Sequence, residues 1–196
     1  MVIKDITQIK NVDELLKKSE WLIGKTLREV TAEIRKSDSH PRVSGKANVG
    51  YTIEKGFFGI NINSDANPDI RHLGVEIKTS PLKYNSDRTR LSVKEPLSLN
   101  IINYEEEYKH SGLGDSSVYK KNGKILFVFY IHDKKLERSK YVVKYVFLWE
   151  MDNKVLKELQ PDYDKIVQKV RAGKAHHIHQ SDHKYLTLCP KHGGTF

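Results

Sequence analysis

Residues 68–79 read Pro68-Asp69-Ile70-Arg71-His72-Leu73-Gly74-Val75-Glu76-Ile77-Lys78-Thr79, and the second half of that stretch alternates: Leu73, Val75 and Ile77 on one side, Glu76 and Lys78 on the other. A period of two marks a strand with one buried face. Side chains at i and i+2 of a strand lie roughly 6.6 Å apart on the same face, so Glu76 and Lys78 point together, opposite Val75 and Ile77. An aspartate just upstream of the strand, Asp69, can reach the same place.

Acid-x-Lys triplets carry no signal by themselves, because the chain also holds Glu107-x-Lys109, Asp133-x-Lys135, Asp152-x-Lys154 and Asp182-x-Lys184. Glu76-x-Lys78 is set apart by its alternating context, by Pro68-Asp69 before it, and by a preceding helix with a further acid, Glu54. Two carboxylates and one ammonium can converge around a divalent ion. Mg²⁺ takes one or two carboxylates and fills its other positions with water and phosphate oxygens, an arrangement suited to phosphodiester hydrolysis. The lysine can stabilise charge on the phosphate or orient the attacking water. The alternative is an exposed strand face with a surface ion pair worth about 0–1 kcal/mol.

Outward from this stretch, the chain reads as one mixed α/β domain over residues 1–196, with no repeat and no linker. Asn11 followed by Glu14, then Leu15, Leu16, Leu22 and Ile23 at helical spacing, predicts a helix that Gly24 stops. A loop is expected from Arg35 to Gly45. Lys46 to Phe58 predicts a helix with Val49, Ile53 and Phe57 on its apolar face. Asn61 to Pro68 reads as a loop and Tyr84 to Arg90 as a basic loop or hairpin. Leu97 to Tyr108, apolar and then acidic, does not declare its structure. Ile125 to Ile131 and Tyr141 to Trp149 predict a hairpin, Pro161 is expected to start a helix that Gly173 ends, and Tyr185 to Cys189 a last strand. Trp21 and Trp149 are expected in the core.

The 196 residues carry 34 Lys+Arg against 25 Asp+Glu, a formal net charge of +9, with 38% hydrophobic residues. Mean hydropathy is -0.60. This composition collapses into a core yet gives no apolar run near the roughly 20 residues of a membrane span. A single cysteine suits a reducing compartment. The N-terminus lacks the pattern of a signal peptide, so the cytoplasm is the expected location. The surplus positive charge favours a polyanion, which in that compartment is nucleic acid. Five histidines crowd the last 21 residues, but one Cys among polar neighbours is a poor zinc site. A solvated loop is the better reading.

Three blocks, Lys46-Ala-Asn-Val-Gly50-Tyr-Thr-Ile-Glu54, Ala66-Asn-Pro-Asp69 and Leu73-Gly-Val-Glu76-Ile-Lys78-Thr79, resemble the signature of MutH and the related Sau-type restriction endonucleases. Weaker likeness runs through Leu97-Ser-Leu-Asn100-Ile-Ile-Asn-Tyr104 and Ala172-Gly-Lys174-Ala-His176 to Tyr185-Leu186. These later blocks are closer to the restriction branch. The resemblance implies an α/β restriction-endonuclease-like PD-(D/E)xK core, a mixed central β-sheet flanked by helices, that cuts double-stranded DNA at GATC with Mg²⁺, or Mn²⁺ in its place.

The resemblance further implies that Asp69 and Glu76 bind metal, that Lys78 is the catalytic lysine, and that Glu54 and Lys46 complete the site. Another family lysine precedes the Ile125 strand: Lys124, with Lys121 and Lys120 as rivals. Apart from the resemblance, the basic segment after the strand, with Arg88, Arg90 and Lys94, is expected to contact DNA phosphates, a merely soluble hairpin being the rival. Base readout would begin at Lys191-His192-Gly193-Gly194, where glycines admit close approach and a lysine can donate to guanine. The chain would then be the N-terminal catalytic part of a longer protein, with a second MutH-like half or a dimer partner. A MutH-like mismatch-repair nickase and a non-catalytic DNA-binding module that kept the fold are the alternatives.

Overall fold

The computed structural model describes residues 2–36, 49–61 and 66–188. The chain forms two compact units, Met1–Leu99 with Lys124–Glu150, and Asn100–Gly123 with Met151–Phe196. Among the described residues no helix is long and apolar enough to cross a membrane.

In the first unit, helix α1 (Val12–Ser19) starts as expected, with the Asn11 side chain accepting from the Glu14 N–H at 2.9 Å and the Glu14 carboxylate accepting from the Lys10 N–H. A 3₁₀ turn, Glu20–Leu22, carries the chain to Gly24. Helix α2 (Leu27–Lys36) stands where no helix was expected, and it takes in Arg35 and Lys36 from the expected loop. Its signal is legible in retrospect. Thr26 and Glu29 form a reciprocal cap, and Leu27, Val30 and Ile34 bury one face.

The expected Lys46 helix is described from Val49 onward. A turn of α-helix, α3 (Val49–Tyr51), passes into a π-helix, Thr52–Phe57, in which the Phe58 N–H reaches five residues back to the Ile53 carbonyl at 3.1 Å. The wider turn lets the consecutive Phe57 and Phe58 both reach 0% exposure.

The sheet is mixed, four-stranded and ordered β2-β1-β3-β4. Strand β1 (Glu76–Tyr84) runs antiparallel to β2 (Leu91–Val93) and parallel to β3 (Lys124–Ile131), and β3 pairs antiparallel with β4 (Val143–Glu150) as the expected hairpin. One sheet face sends Ile77, Leu126, Val128 and Val146 into a core shared with Leu15, Leu22, Val30, Ile34, Ile53 and Phe57. Strand pairing puts Glu76 beside Ile125 and Trp149, and Lys78 beside Phe127 and Phe147, on the opposite face. Trp21 stacks on Phe57 and packs against the core as expected. Trp149 does not: it is half-buried on the other face, edge-on to Phe127, because the β3–β4 register fixes its side.

Two expectations fail in the second unit. Helix α6 (Asn153–Arg171) begins eight residues before Pro161, capped by Asp152, whose side chain accepts from the Val155 N–H. Proline therefore sits inside the helix, where it costs one backbone hydrogen bond rather than starting the helix. Gly173, with φ +67°, does end it. Residues 185–188 form no strand; the N–H groups of Lys184, Tyr185 and Leu186 are instead taken by the Asp162 carboxylate at 2.7–3.1 Å. Cys189 lies outside the described residues. Two short helices, α4 (Tyr104–Glu107) and α5 (Ser117–Asn122), also belong to this unit. Glu107, 1% exposed, ties α4 to both other helices by accepting from Ser117 Oγ and from the Tyr163 hydroxyl.

Candidate active site

The seven-residue offset between Asp69 and Glu76 has a structural cause. The alternating run does not become strand at Leu73; Arg71–Gly74 turn back on themselves, and Ile70 and Val75 pair across the turn through N–H···O bonds of 2.8 and 3.2 Å. Gly74 takes φ +65°, which side-chain-bearing residues adopt only with strain. Folded this way, Asp69 lies beside the first residues of β1. The Ile77 N–H donates to Asp69 Oδ2 at 2.9 Å and the Asp69 N–H donates to Glu76 Oε2 at 3.1 Å. Each arm of the turn thus holds the other arm's carboxylate.

Lys78 completes the group. Its Nζ stands 2.8 Å from Glu76 Oε1 and donates to the Leu99 carbonyl, also at 2.8 Å. The lysine side chain is 17% exposed and that of Glu76 4%. A carboxylate this buried needs both the ammonium and the backbone donor, since an unpaired buried charge is strongly unfavourable. Leu99 is the participant that residue-type reasoning missed. It acts through its main chain, which no side-chain pattern reports, although it lies within Leu97–Tyr104.

The other expected residues are distributed as follows. Glu54 is half-buried on the π-helix, whose Ile53 and Phe57 enter the same core as Ile77. Lys124 starts β3 on the side of Leu126 and Val128, away from Glu76 and Lys78, and its Nζ pairs with Glu150 at 2.9 Å. Lys120 and Lys121 lie on α5 in the second unit, where Lys121 is 8% exposed. Arg88 and Arg90 occupy the turn between β1 and β2, which is ordered by the Asn85 and Asp87 side chains accepting from Arg90 and Thr89 N–H. Arg88 stacks over the Tyr84 ring at 5.0 Å and faces Asp133 at 3.9 Å. Lys94 pairs with Glu95 at 3.4 Å. Lys46, Lys191, His192, Gly193 and Gly194 lie outside the described residues.

Asp69 and Glu76 offer hard carboxylate oxygens only, the donor set of Mg²⁺ or Mn²⁺ rather than of a thiolate- or imidazole-seeking ion. Among the described residues no group of three or more His, Cys, Asp or Glu is assembled for a metal. A pair of carboxylates matches an ion that completes its shell with water and phosphate oxygens. The residues fit that group.

Comparison with known proteins places these features. The family model for the DNA mismatch repair enzyme MutH matches residues 58–162, which include Asp69, Glu76, Lys78 and the β3–β4 hairpin. The type II restriction enzyme Sau3AI of Staphylococcus aureus is 34% identical over 151 residues, 74% of this chain and 30% of that protein. The DNA mismatch repair protein MutH of Actinobacillus pleuropneumoniae serotype 5b is 25% identical over 181 residues, 91% of this chain and 76% of its own. MutH of Shewanella sp. strain MR-7 is 27% identical over 190 residues, covering 96% and 81%. The chain therefore spans under a third of the restriction enzyme and roughly three quarters or more of the repair proteins.

Proposed function

Because the chain belongs to the MutH family of nucleases, we propose that it is a Mg²⁺-dependent type II restriction endonuclease that cleaves double-stranded DNA at GATC in the cytoplasm. The convergence of Asp69, Glu76 and Lys78 at the head of β1 carries this reading. A divalent ion held by the two carboxylates would supply Lewis-acid polarisation of the phosphate and a more acidic bound water. The protein's own groups do the rest. Asp69 and Glu76 are pinned by backbone N–H groups, so the ligand oxygens are preorganised. Lys78, steadied by Leu99, presents its ammonium where negative charge builds on the phosphate. In this reading Glu54 and Lys46 complete the catalytic set, and Arg88, Arg90, Lys94 and the Lys191–Gly194 segment contact DNA. A further lysine is expected from the start of β3 or from α5; separate Lys124→Ala, Lys121→Ala and Lys120→Ala variants decide which one serves the reaction.

The higher identity to the restriction enzyme favours double-strand cutting. The greater share of the MutH proteins spanned favours a repair nickase as the second reading. Digestion of unmethylated and adenine-methylated plasmid with Mg²⁺, followed by end sequencing, separates them. Linear products with ends at GATC support the proposal, and nicked circles that need a repair partner support the second reading. Ends unrelated to GATC refute the specificity. Absence of cleavage by a full-length protein in both Mg²⁺ and Mn²⁺ leaves a DNA-binding module. Multiple chains or a second related half would supply the second cut.

A further inference from the structure

Glu54 and Asp69 belong to separate elements, the π-helix and the turn before β1, and the N-terminal segment is bonded to both. Ile3 and Ile9 are buried in the same core as Phe57, Ile70 and Val75. Apolar contact is non-directional and would let the segment slide. Hydrogen bonds at its two ends fix its register. The Ile3 N–H donates to the Phe57 carbonyl of the π-helix at 3.1 Å, and the Ile9 carbonyl stands 2.8 Å from Nε2 of His72, on the Arg71–Gly74 turn. Between these ends Asp5 accepts from the N–H and the hydroxyl of Thr7, at 2.9 and 2.7 Å, at the start of the 3₁₀ turn Ile6–Gln8 that sets how far the segment reaches.

A carbonyl oxygen only accepts, so His72 Nε2 carries the proton in this bond. The residue itself is exposed; burial does not hold it there, and the hydrogen bond does. Ile70 and Val75, both buried, fix the base of the turn, and His72 fixes its tip. The base and the tip together decide where Asp69 Oδ2 meets the Ile77 N–H. We infer that His72 is a positioning residue for the metal carboxylates: through Ile9 it ties the Asp69 turn to the N-terminal segment, which Ile3 ties to the π-helix of Glu54. This rests on the reading of Asp69, Glu76 and Glu54 as the acidic set of the site. His72 touches neither metal nor DNA in this role; it acts through where it holds the turn.

The test uses the full-length protein without DNA and two variants. His72→Phe keeps a flat ring and loses the donor, and His72→Gln has an amide that can donate from near the Nε2 position. Two quantities are read: hydrogen exchange of the Ile77 amide, and the Mn²⁺ dissociation constant, followed by the electron paramagnetic resonance of the free ion. Partial unfolding lowers the number of binding sites and leaves the affinity of those that remain unmoved. His72→Phe is expected to speed exchange at Ile77 and to weaken Mn²⁺ binding about tenfold, the usual scale for losing a group that orients a metal ligand. His72→Gln is expected to restore both. Either quantity unmoved in His72→Phe, or His72→Gln failing in the same way, overturns the inference. Asp69→Ala tests the reading beneath it: Mn²⁺ bound as tightly by that variant as by the unaltered protein removes Asp69 from the metal site, whatever His72 does.

Discussion

The head of β1 and the loop after α6 each bring a carboxylate to backbone N–H groups, by routes of different range. Asp69 and Glu76 meet across a turn of four residues, and the N–H donors lie only eight and seven residues from the carboxylates they serve. Asp162 meets amides 22 to 24 residues away in sequence. The first arrangement forms wherever the local turn forms. The second exists only once helix and loop have packed, so it is the part of the molecule that sequence change can disturb without touching the site chemistry.

The largest effect that sharpens this contrast is on the reaction itself. Lys78→Ala should slow single-turnover cleavage by about 10²–10³-fold, the usual cost of losing one group that stabilises transition-state charge. Its melting temperature should change little beyond what Glu76 loses as a partner. An unchanged cleavage rate would remove Lys78 from the mechanism.

Next comes the long-range clamp. Asp162→Ala removes the charged acceptor of three backbone N–H groups, at about 1–3 kcal/mol, read as a lower urea midpoint. The clamp is also acid-sensitive. Burial pushes the Asp162 carboxyl up, but the N–H groups of Tyr185, Leu186 and Lys184, helped by His183, outweigh it and hold it below the ordinary aspartate value. A lowered folded-state pKa means the stabilisation is complete above the unfolded value of about 3.9 and fades as pH falls through the folded one. Amide resonances of residues 184–186 should therefore shift together only at a pH below the ordinary aspartate range. A common shift that sets in above that range would contradict the clamp.

Smaller is the local turn. Gly74→Ala meets no atom within 4 Å of the added methyl, so its cost is backbone strain alone, about 1 kcal/mol. It should nevertheless reduce cleavage, because the turn sets Asp69 against Ile77; full activity would show that the turn does not position Asp69. Smallest is Arg88→Ala, expected to lower the slope of log affinity against log salt by about one. An unaltered slope would leave Arg88 as the partner of Tyr84 and Asp133 only.

The same difference in range explains what the sequence reveals. The alternation of Val75, Glu76, Ile77 and Lys78 and the apolar runs around Ile125 and Tyr141 are short-range patterns, and each became strand. Asp69 was legible as a partner of Glu76 although the turn at Arg71–Gly74 was not. Helix α2 was readable from Thr26 and Glu29 but overlooked. Pro161 misled because proline more often opens a helix, while Asp152 supplied the true cap. The side taken by Lys124 and Trp149 depends on pairing between strands distant in the chain, and the Leu99 carbonyl and the N–H groups gathered on Asp162 depend on backbone atoms. None of these leaves a mark in residue type.

The positive surplus of nine charges suits a polyanionic partner, and in this account the Asp69–Glu76 pair of carboxylates is what makes the protein an enzyme. The most direct measurement is cleavage of duplex DNA in Mg²⁺ by Asp69→Ala beside the unaltered protein, with binding to the same duplex followed in parallel. The account predicts retained binding and cleavage lower by orders of magnitude. Cleavage at the unaltered rate, with the same ends, would contradict it.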